Sequence, residues 1–379
     1  MDFNFSDEQR QLKDSVERFV RDQYAFDKWR KTVTSEEGYR GENWRQIAEL
    51  GWLGVAVPEE FGGLGGNAVD IAVIMEGLGQ GLVAEPYFST AVLGGGFLCH
   101  GGSKAQKQAL LPALAEGKLK LAFAFAEQQS RFNLADVAVG AKKSGSGYVI
   151  NGQKCVVFDA AAADQLIVSA RTAGSAADAK GISLFLVDKK TKGLTVKGYR
   201  TVDHRRAADV GFDQVAVGAE ALIGRADEAL PLIELVADHA ISALAAEAVG
   251  CMQVLCDTTN EYLKTRKQFG RPIGQFQVLQ HRMVEMWIAL EQARSMNYML
   301  AMKVAEPAPE RAKSAAATKT TIGQSGRFVG QQAVQLHGGM GMTDELNVGH
   351  WFKRLTAAQL MFGDSDSHLQ RYAALTRGR

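Results

Sequence analysis

Apolar and polar positions follow three successive rhythms along this chain, and the changes of rhythm divide it. Over residues 1–118 apolar residues recur at helical spacing, beginning behind Ser6, Asp7, Glu8 and Gln9, where a serine and a glutamine three apart spell a capping box. The turn-rich VPEEFGGLGG at 57–66 interrupts the pattern, DIAVIMEGLGQGL resumes it, and KAQKQALLPALAEGKLK closes it. From Leu119 the period shortens. LKLAFAFAE, GYVINGQKCVVF, DQLIVSAR, GISLFLVDKK, GLTVKGYR and ADVGFDQVAV are short and turn-bounded, so they predict six strands with no helix between them, ending near Val217. Such a series predicts an antiparallel barrel or sandwich. Helical spacing returns at 230–266, 276–304, 311–340 and 349–376, which predicts a C-terminal four-helix bundle. The expected fold class is α+β multidomain: an N-terminal helical domain at 1–118, a middle β domain at 119–228 and a helical bundle at 229–379. A cleft where such pieces meet is a usual place for a cofactor.

One stretch breaks its own pattern. In AISALAAEAVGCMQVLC, residues 240–256, Glu247 is the only charge, and Ala243, Leu244, Gly250 and Cys251 surround it at helical spacing. A helix here buries a carboxylate, which is costly unless the group is paired or put to use. Two readings follow, an ion-paired core residue and a proton-transferring carboxylate. Downstream, Gly270, Pro272 and Gly274 interrupt NEYLKTRKQFGRPIGQFQVLQHRMVEM, predicting two long helices joined by a basic, glycine-containing turn.

At 379 residues the chain exceeds what one core usually organises. Its net charge of +1 gives no electrostatic footprint for nucleic acid or an anionic membrane surface. The cysteines, Cys99, Cys155, Cys251 and Cys256, show neither CxxC nor zinc spacing, so no metal site and a reducing compartment are expected. Cys251 and Cys256 read as small core residues. MDFNFSDEQRQLKDSVERF carries acids without a long apolar run, and no segment approaches about twenty apolar residues, so a soluble cytoplasmic protein is expected. With no GxGxxG after a strand, no GxxxxGK[ST], no GxSxG and no HExxH, nicotinamide-Rossmann, P-loop, serine-hydrolase and zinc-protease chemistry lose their usual support.

EYLKTRKQFGRPIGQFQVLQHRMVEM, followed downstream by QQAVQLHGGMGMTDELNVGHWFKR, resembles the acyl-CoA dehydrogenase family. VPEEFGGLGG, INGQK and the α, β, α order extend the resemblance over essentially the whole chain. AAEAVG and FGDSDSHLQRY are similar to the steroid- and dicarboxylate-degrading branch, including small subunits like those of pimeloyl-CoA dehydrogenase. The resemblance implies FAD held between subunits of a homomeric or heteromeric dimer or tetramer. It implies an acyl-CoA substrate that loses an α-proton to a carboxylate and a β-hydride to flavin, and an electron-transfer flavoprotein or similar acceptor. Carried over by position, Arg266 and Phe269 would meet the FAD of a neighbouring subunit, Gln335 and Gly339 its adenosine and pyrophosphate end, and Gln277 would join that shell. Phe125 and Ala126 would lie on the flavin face. There the chain departs from the family: AFAEQQSRFNLADVAV replaces a threonine-glutamate and glycine-serine run, and Cys155, Val156, Val157 and Phe158 stand where a tryptophan and threonine are usual.

Two carboxylates are candidates for the base. Glu247 comes first, as the branch places a glutamate in this helix. Asp364 comes second, because alignment on Leu369, Gln370 and Arg371 puts it at the common family position. Asp364 has a second reading as the cap of the final helix, a role open equally to Ser365 and Asp366. His204, Arg205 and Arg206 read as a solvated turn. Two other functions stay open: a partner subunit of a heteromer with an altered flavin face, and a non-catalytic acyl-CoA-binding protein.

Overall fold

In a computed structural model, residues 5–377 of the protein are described. The N-terminal helices are α1 Asp7–Gln23, α2 Phe26–Thr34, α3 Gly41–Glu49, α4 Ala68–Gly81, α5 Gly95–Gly101 and α6 Lys104–Ala115. The capping box forms as the sequence predicts: Ser6 Oγ accepts from Gln9 N at 3.2 Å, and Gln9 Oε1 accepts from Ser6 N at 3.1 Å. Ser103 and Gln106 repeat the device at α6. Among these N-terminal elements the sequence reading does not distinguish Phe88–Gly94, which coils as a π-helix, a form found mostly as short insertions near functional sites.

The middle strands are β1 Leu121–Ala124, β2 Gly140–Ser144, β3 Gly147–Phe158, β4 Gln165–Arg171, β5 Ile182–Asp188, β6 Leu194–Arg200, β7 Arg206–Val217 and β8 Leu222–Ile223. They form one eight-stranded sheet along the path β6-β7-β3-β2-β4-β5-β8, with β1 added on β4. The expected six strands omitted β2 and β8. β2 is AKKS preceded by glycine, with Lys142 and Lys143 exposed, so it carries too little apolar signal to be read alone. The pairing is antiparallel except where β1 and the first residue of β2 run parallel to β4. β1 is also shorter than LKLAFAFAE, because Phe125 and Ala126 leave the sheet. Ile150, Leu166, Val168, Phe185, Val210 and Val215 fill the core.

The last helices are α7 Leu230–Thr265, α8 Gln277–Lys303, α9 Ala308–His337, α10 Val348–Leu360 and α11 Ser365–Thr376. A two-stranded hairpin, β9 Lys267–Gln268 and β10 Arg271–Pro272, joins α7 to α8. The predicted helix at 349–376 is two helices. Phe362 at φ +56° and Gly363 at φ +108° take the chain out of helical geometry between them. No described helix is long and apolar enough to cross a membrane.

The chain forms two compact units. One comprises the residues up to Lys31, Ala68–Val83 and the residues from Ile241 on; the other comprises Thr32–Asn67 and Ala84–Ala240. In the first unit α4 and α7 touch backbone to backbone. A Cβ on Gly79 would lie 2.2 Å from the Glu247 carbonyl oxygen, and one on Gly250 would lie 1.9 Å from that of Glu76. Only glycine fits either position. The Gly79 carbonyl also accepts from Trp351 Nε1 at 3.1 Å and from the Cys251 thiol at 3.4 Å.

Candidate functional site

Glu247 lies on the buried side of α7, and its partner is Arg354 of α10. Arg354 Nε donates to Oε1 at 2.9 Å and Nη2 to Oε2 at 2.6 Å, with the two side chains 5% and 3% exposed. A guanidinium and a carboxylate meet here in the paired geometry that suits both. Met361 Sδ, 3.8 Å from both terminal guanidinium nitrogens, closes the far side. Sequence reasoning singled out Glu247 and missed Arg354. The signal for it was one basic residue on the apolar face of a short helix, in HWFKRL.

Asp364 is the residue that caps α11, ahead of Ser365 and Asp366: its Oδ1 accepts from Ser367 N at 2.8 Å. The loop carrying it is held by Lys319 of α9, which is 1% exposed. Lys319 Nζ donates to the carbonyls of Ala358 at 3.1 Å, Gln359 at 2.7 Å and Gly363 at 2.7 Å. Burial pushes its pKa down to about 7, against the pull of the Asp364 charge. Nothing in the run AAATKTT had suggested this clamp.

The residues expected to hold FAD divide into those that converge and those that do not. Arg266, Gln335 and Gly339 line one cleft of about 690 Å³, together with Arg282 and His337. They meet because α7 and α9 end side by side: the His337 ring lies 4.3 Å from that of Tyr262, whose hydroxyl reaches the His337 carbonyl at 3.5 Å. Burial lowers the His337 pKa, which keeps the ring neutral. Its Nδ1 faces the Ala333 carbonyl at 2.8 Å, and its Nε2 is buried with no partner among the described residues. Gly338, at φ +59°, and Gly339 leave open space where a side chain would stand. Phe269 and Gln277 are not in the wall. Phe269 stands at the tip of the β9–β10 hairpin at φ +53°, 90% exposed, and Gln277 opens α8.

Phe125 and Ala126 lie in the second unit, just past β1. The Phe125 ring stacks on Phe123 at 5.0 Å, and the Phe125 carbonyl accepts from Lys154 Nζ at 3.0 Å. The Ala126 carbonyl accepts from Cys155 N at 2.9 Å. Beneath them Lys154 and Glu127 form a second buried ion pair at 2.6 Å, 0% and 3% exposed. Glu127 also accepts from Gln129 at 2.9 Å and from the backbone of Ala138 at 2.9 Å and Val139 at 3.2 Å. Burial alone would raise the Glu127 pKa, but the Lys154 ammonium and these donors hold it below the ordinary carboxylate value. The turn at 125–130 and the strand at 155–158 are therefore tied together, although their side chains differ from those the resemblance leads one to expect. The reading of Arg206 as a solvated residue needs correction. It opens β7 and donates to the carbonyls of Val33, at 3.3 Å, and Ser35.

The cleft is suited to FAD. Two guanidinium groups and a glycine turn with open space can together receive a diphosphate. Family models agree across the chain: the N-terminal domain of acyl-CoA dehydrogenase matches residues 6–118, the middle domain 122–215 and the C-terminal domain 237–375. A probable acyl-CoA dehydrogenase of Bacillus subtilis is 31% identical over 98% of each chain. Butyryl-CoA dehydrogenase of Megasphaera elsdenii superimposes with a TM-score of 0.92 at 26% identity over 100% of both chains. A variant of a steroid ACAD superimposes with a TM-score of 0.88 at 28% identity, covering 98% of both. The chain belongs to the acyl-CoA dehydrogenase family, FAD-dependent oxidoreductases that act on the CH–CH bond of acyl-CoA thioesters.

Proposed function

We propose that Glu247 removes the α-proton of an acyl-CoA thioester, and that Arg266, Arg282, Gln335 and Gly339 hold the diphosphate and adenosine end of FAD. The observation that carries this reading is the convergence of Arg266, Gln335 and Gly339 on one cleft with a second guanidinium. Bound FAD supplies the hydride acceptor. Everything else falls to the chain's own side chains. Arg354 fixes both carboxylate oxygens of Glu247, and a low-dielectric setting strengthens that hold.

The functional division of the chain at 118/119 and 228/229 belongs to the same proposal, as do the Phe125 and Ala126 contacts to the flavin. So does a second subunit, identical or related. Phe269 at 90% exposure, with Val278 at 60%, Val284 at 57% and Ile288 at 52%, offers apolar surface for it to cover. An electron-transfer flavoprotein as acceptor and a cytoplasmic setting complete the reading.

The test compares Glu247→Gln with Asp364→Asn in dye-coupled turnover, with flavin content measured on the same samples. Glu247→Gln is expected to lower kcat about 10²–10⁴-fold with flavin retained, and Asp364→Asn to change it by less than about tenfold. The opposite pattern would assign the proton to Asp364 and leave Glu247 a purely structural ion.

A further inference from the structure

Away from the cleft and the two carboxylates, the first unit contains a second cavity of about 160 Å³ among α1, α4 and α8. Val69, Ala72 and Val73 of α4 and Ala301 of α8 give it apolar walls, and the rings of Phe5 and Tyr298 meet edge to face beside it at 6.1 Å. Asn297 of α8 belongs to the same lining. It is fully buried, yet neither Nδ2 nor Oδ1 has a hydrogen-bond partner among the described residues. A buried amide with both ends unmet is rare in native interiors and calls for a missing partner. Glu76, also in the lining, is neutralised by Arg294 at 2.6 Å, and Arg294 donates further to Gln253 Oε1 at 2.7 Å.

We propose that this cavity is a binding site for a small neutral molecule that carries a primary amide on a short apolar body. The amide of Asn297 offers a donor and an acceptor side by side, and a second amide answers both with two hydrogen bonds. The apolar walls receive the body. Because Glu76 and Arg294 cancel, a charged ligand would lose its hydration without a counter-charge to meet. The size is bounded as well: a cavity of about 150 Å³ takes a molecule as large as benzene, so a ligand of about seven heavy atoms is suitable.

Valeramide is the probe, titrated into the purified, flavin-loaded protein with thermal unfolding as the readout. Valerate, pentylamine and toluene serve as charged and apolar counterparts. Valeramide is expected to raise Tm and saturate, as a ligand bound only to the folded state must, and to exceed the other three. Ala301→Phe, which fills the cavity, should abolish the response. Asn297→Leu should weaken valeramide binding about tenfold or more, as loss of its hydrogen bonds implies, and should raise the Tm of the ligand-free protein. The proposal is overturned if valeramide gives no saturable rise, if toluene does as well, or if the rise survives both substitutions and therefore arises elsewhere. The comparison among probes on the unaltered protein decides the matter even if a variant fails to fold.

Discussion

Glu247 and Arg354 are 107 positions apart in the chain, and that separation limits what the sequence can say about them. Local spacing is enough to mark Glu247 as a charge in an apolar face, because its neighbours at three and four residues are visible. It cannot supply the partner, which only the packing of α10 brings near. Arg354→Met should therefore cost about 3–5 kcal/mol in urea unfolding, since it leaves a buried carboxylate without a counter-charge. Glu247→Leu combined with Arg354→Met should restore most of that loss; a double variant no more stable than Arg354→Met would mean that the pair shapes α7 and α10 by more than its charges. Glu127 gives a pH-dependent counterpart. Its folded pKa lies below the ordinary value of 4.5, so the folded state binds fewer protons there than the unfolded state does. The stability this provides is complete above about 4.5 and is lost as pH falls through the folded value, with a slope of up to about 1.4 kcal/mol per pH unit. Urea midpoints measured between pH 5 and 3 should fall less steeply for Glu127→Gln than for the unaltered protein, even though the variant is weaker at pH 7.

Among the elements, periodicity located the long helices to within a few residues and the capping box at Ser6 to the residue. It failed where the pattern continues through a break. LTAAQLMFGDSDSHLQRY keeps helical spacing on both sides of Phe362 and Gly363, so one helix was expected where there are two. What ends α10 there is three carbonyls gathered by Lys319 from another helix, and no local rule contains them. The contact between α4 and α7 is likewise invisible in sequence, where DIAVIMEGLGQGL shows glycines but not what they meet. Gly79→Ala should destabilise the fold by about 1–3 kcal/mol, the usual cost of overpacking a close contact. Because the obstructing atom is the backbone oxygen of Glu247 itself, the same substitution should lower turnover without changing the carboxylate. Thermal unfolding and kcat measured together check both effects.

On the scale of the whole molecule, the family was legible because its motifs lie at helix ends, where RKQFG and QLHGG combine glycine, aromatic and basic residues in a pattern that packing alone does not demand. Arg266, Gln335 and Gly339, which the resemblance assigns to the FAD, line one cleft. Phe269 and Gln277 stay outside that wall, and under the proposal a second subunit would supply the surface that brings them to the cofactor. Arg266→Ala should accordingly lose flavin before it loses fold, seen as a fall in the visible flavin absorbance per chain with far-ultraviolet circular dichroism unchanged. Phe269→Ala should lose flavin as the protein is diluted, a dependence that a cofactor held by one chain would not show.

The Gly79 carbonyl, which receives both the Trp351 indole and the Cys251 thiol, has an optical consequence. It holds a fluorophore and a sulfur quencher at the same atom, at the level where α4 bears on Glu247. In a version retaining Trp351 as its sole tryptophan, emission should be dim while α4 is seated and should brighten when that helix withdraws. The chain thus carries a native reporter for the movement of the segment that flanks its proposed base.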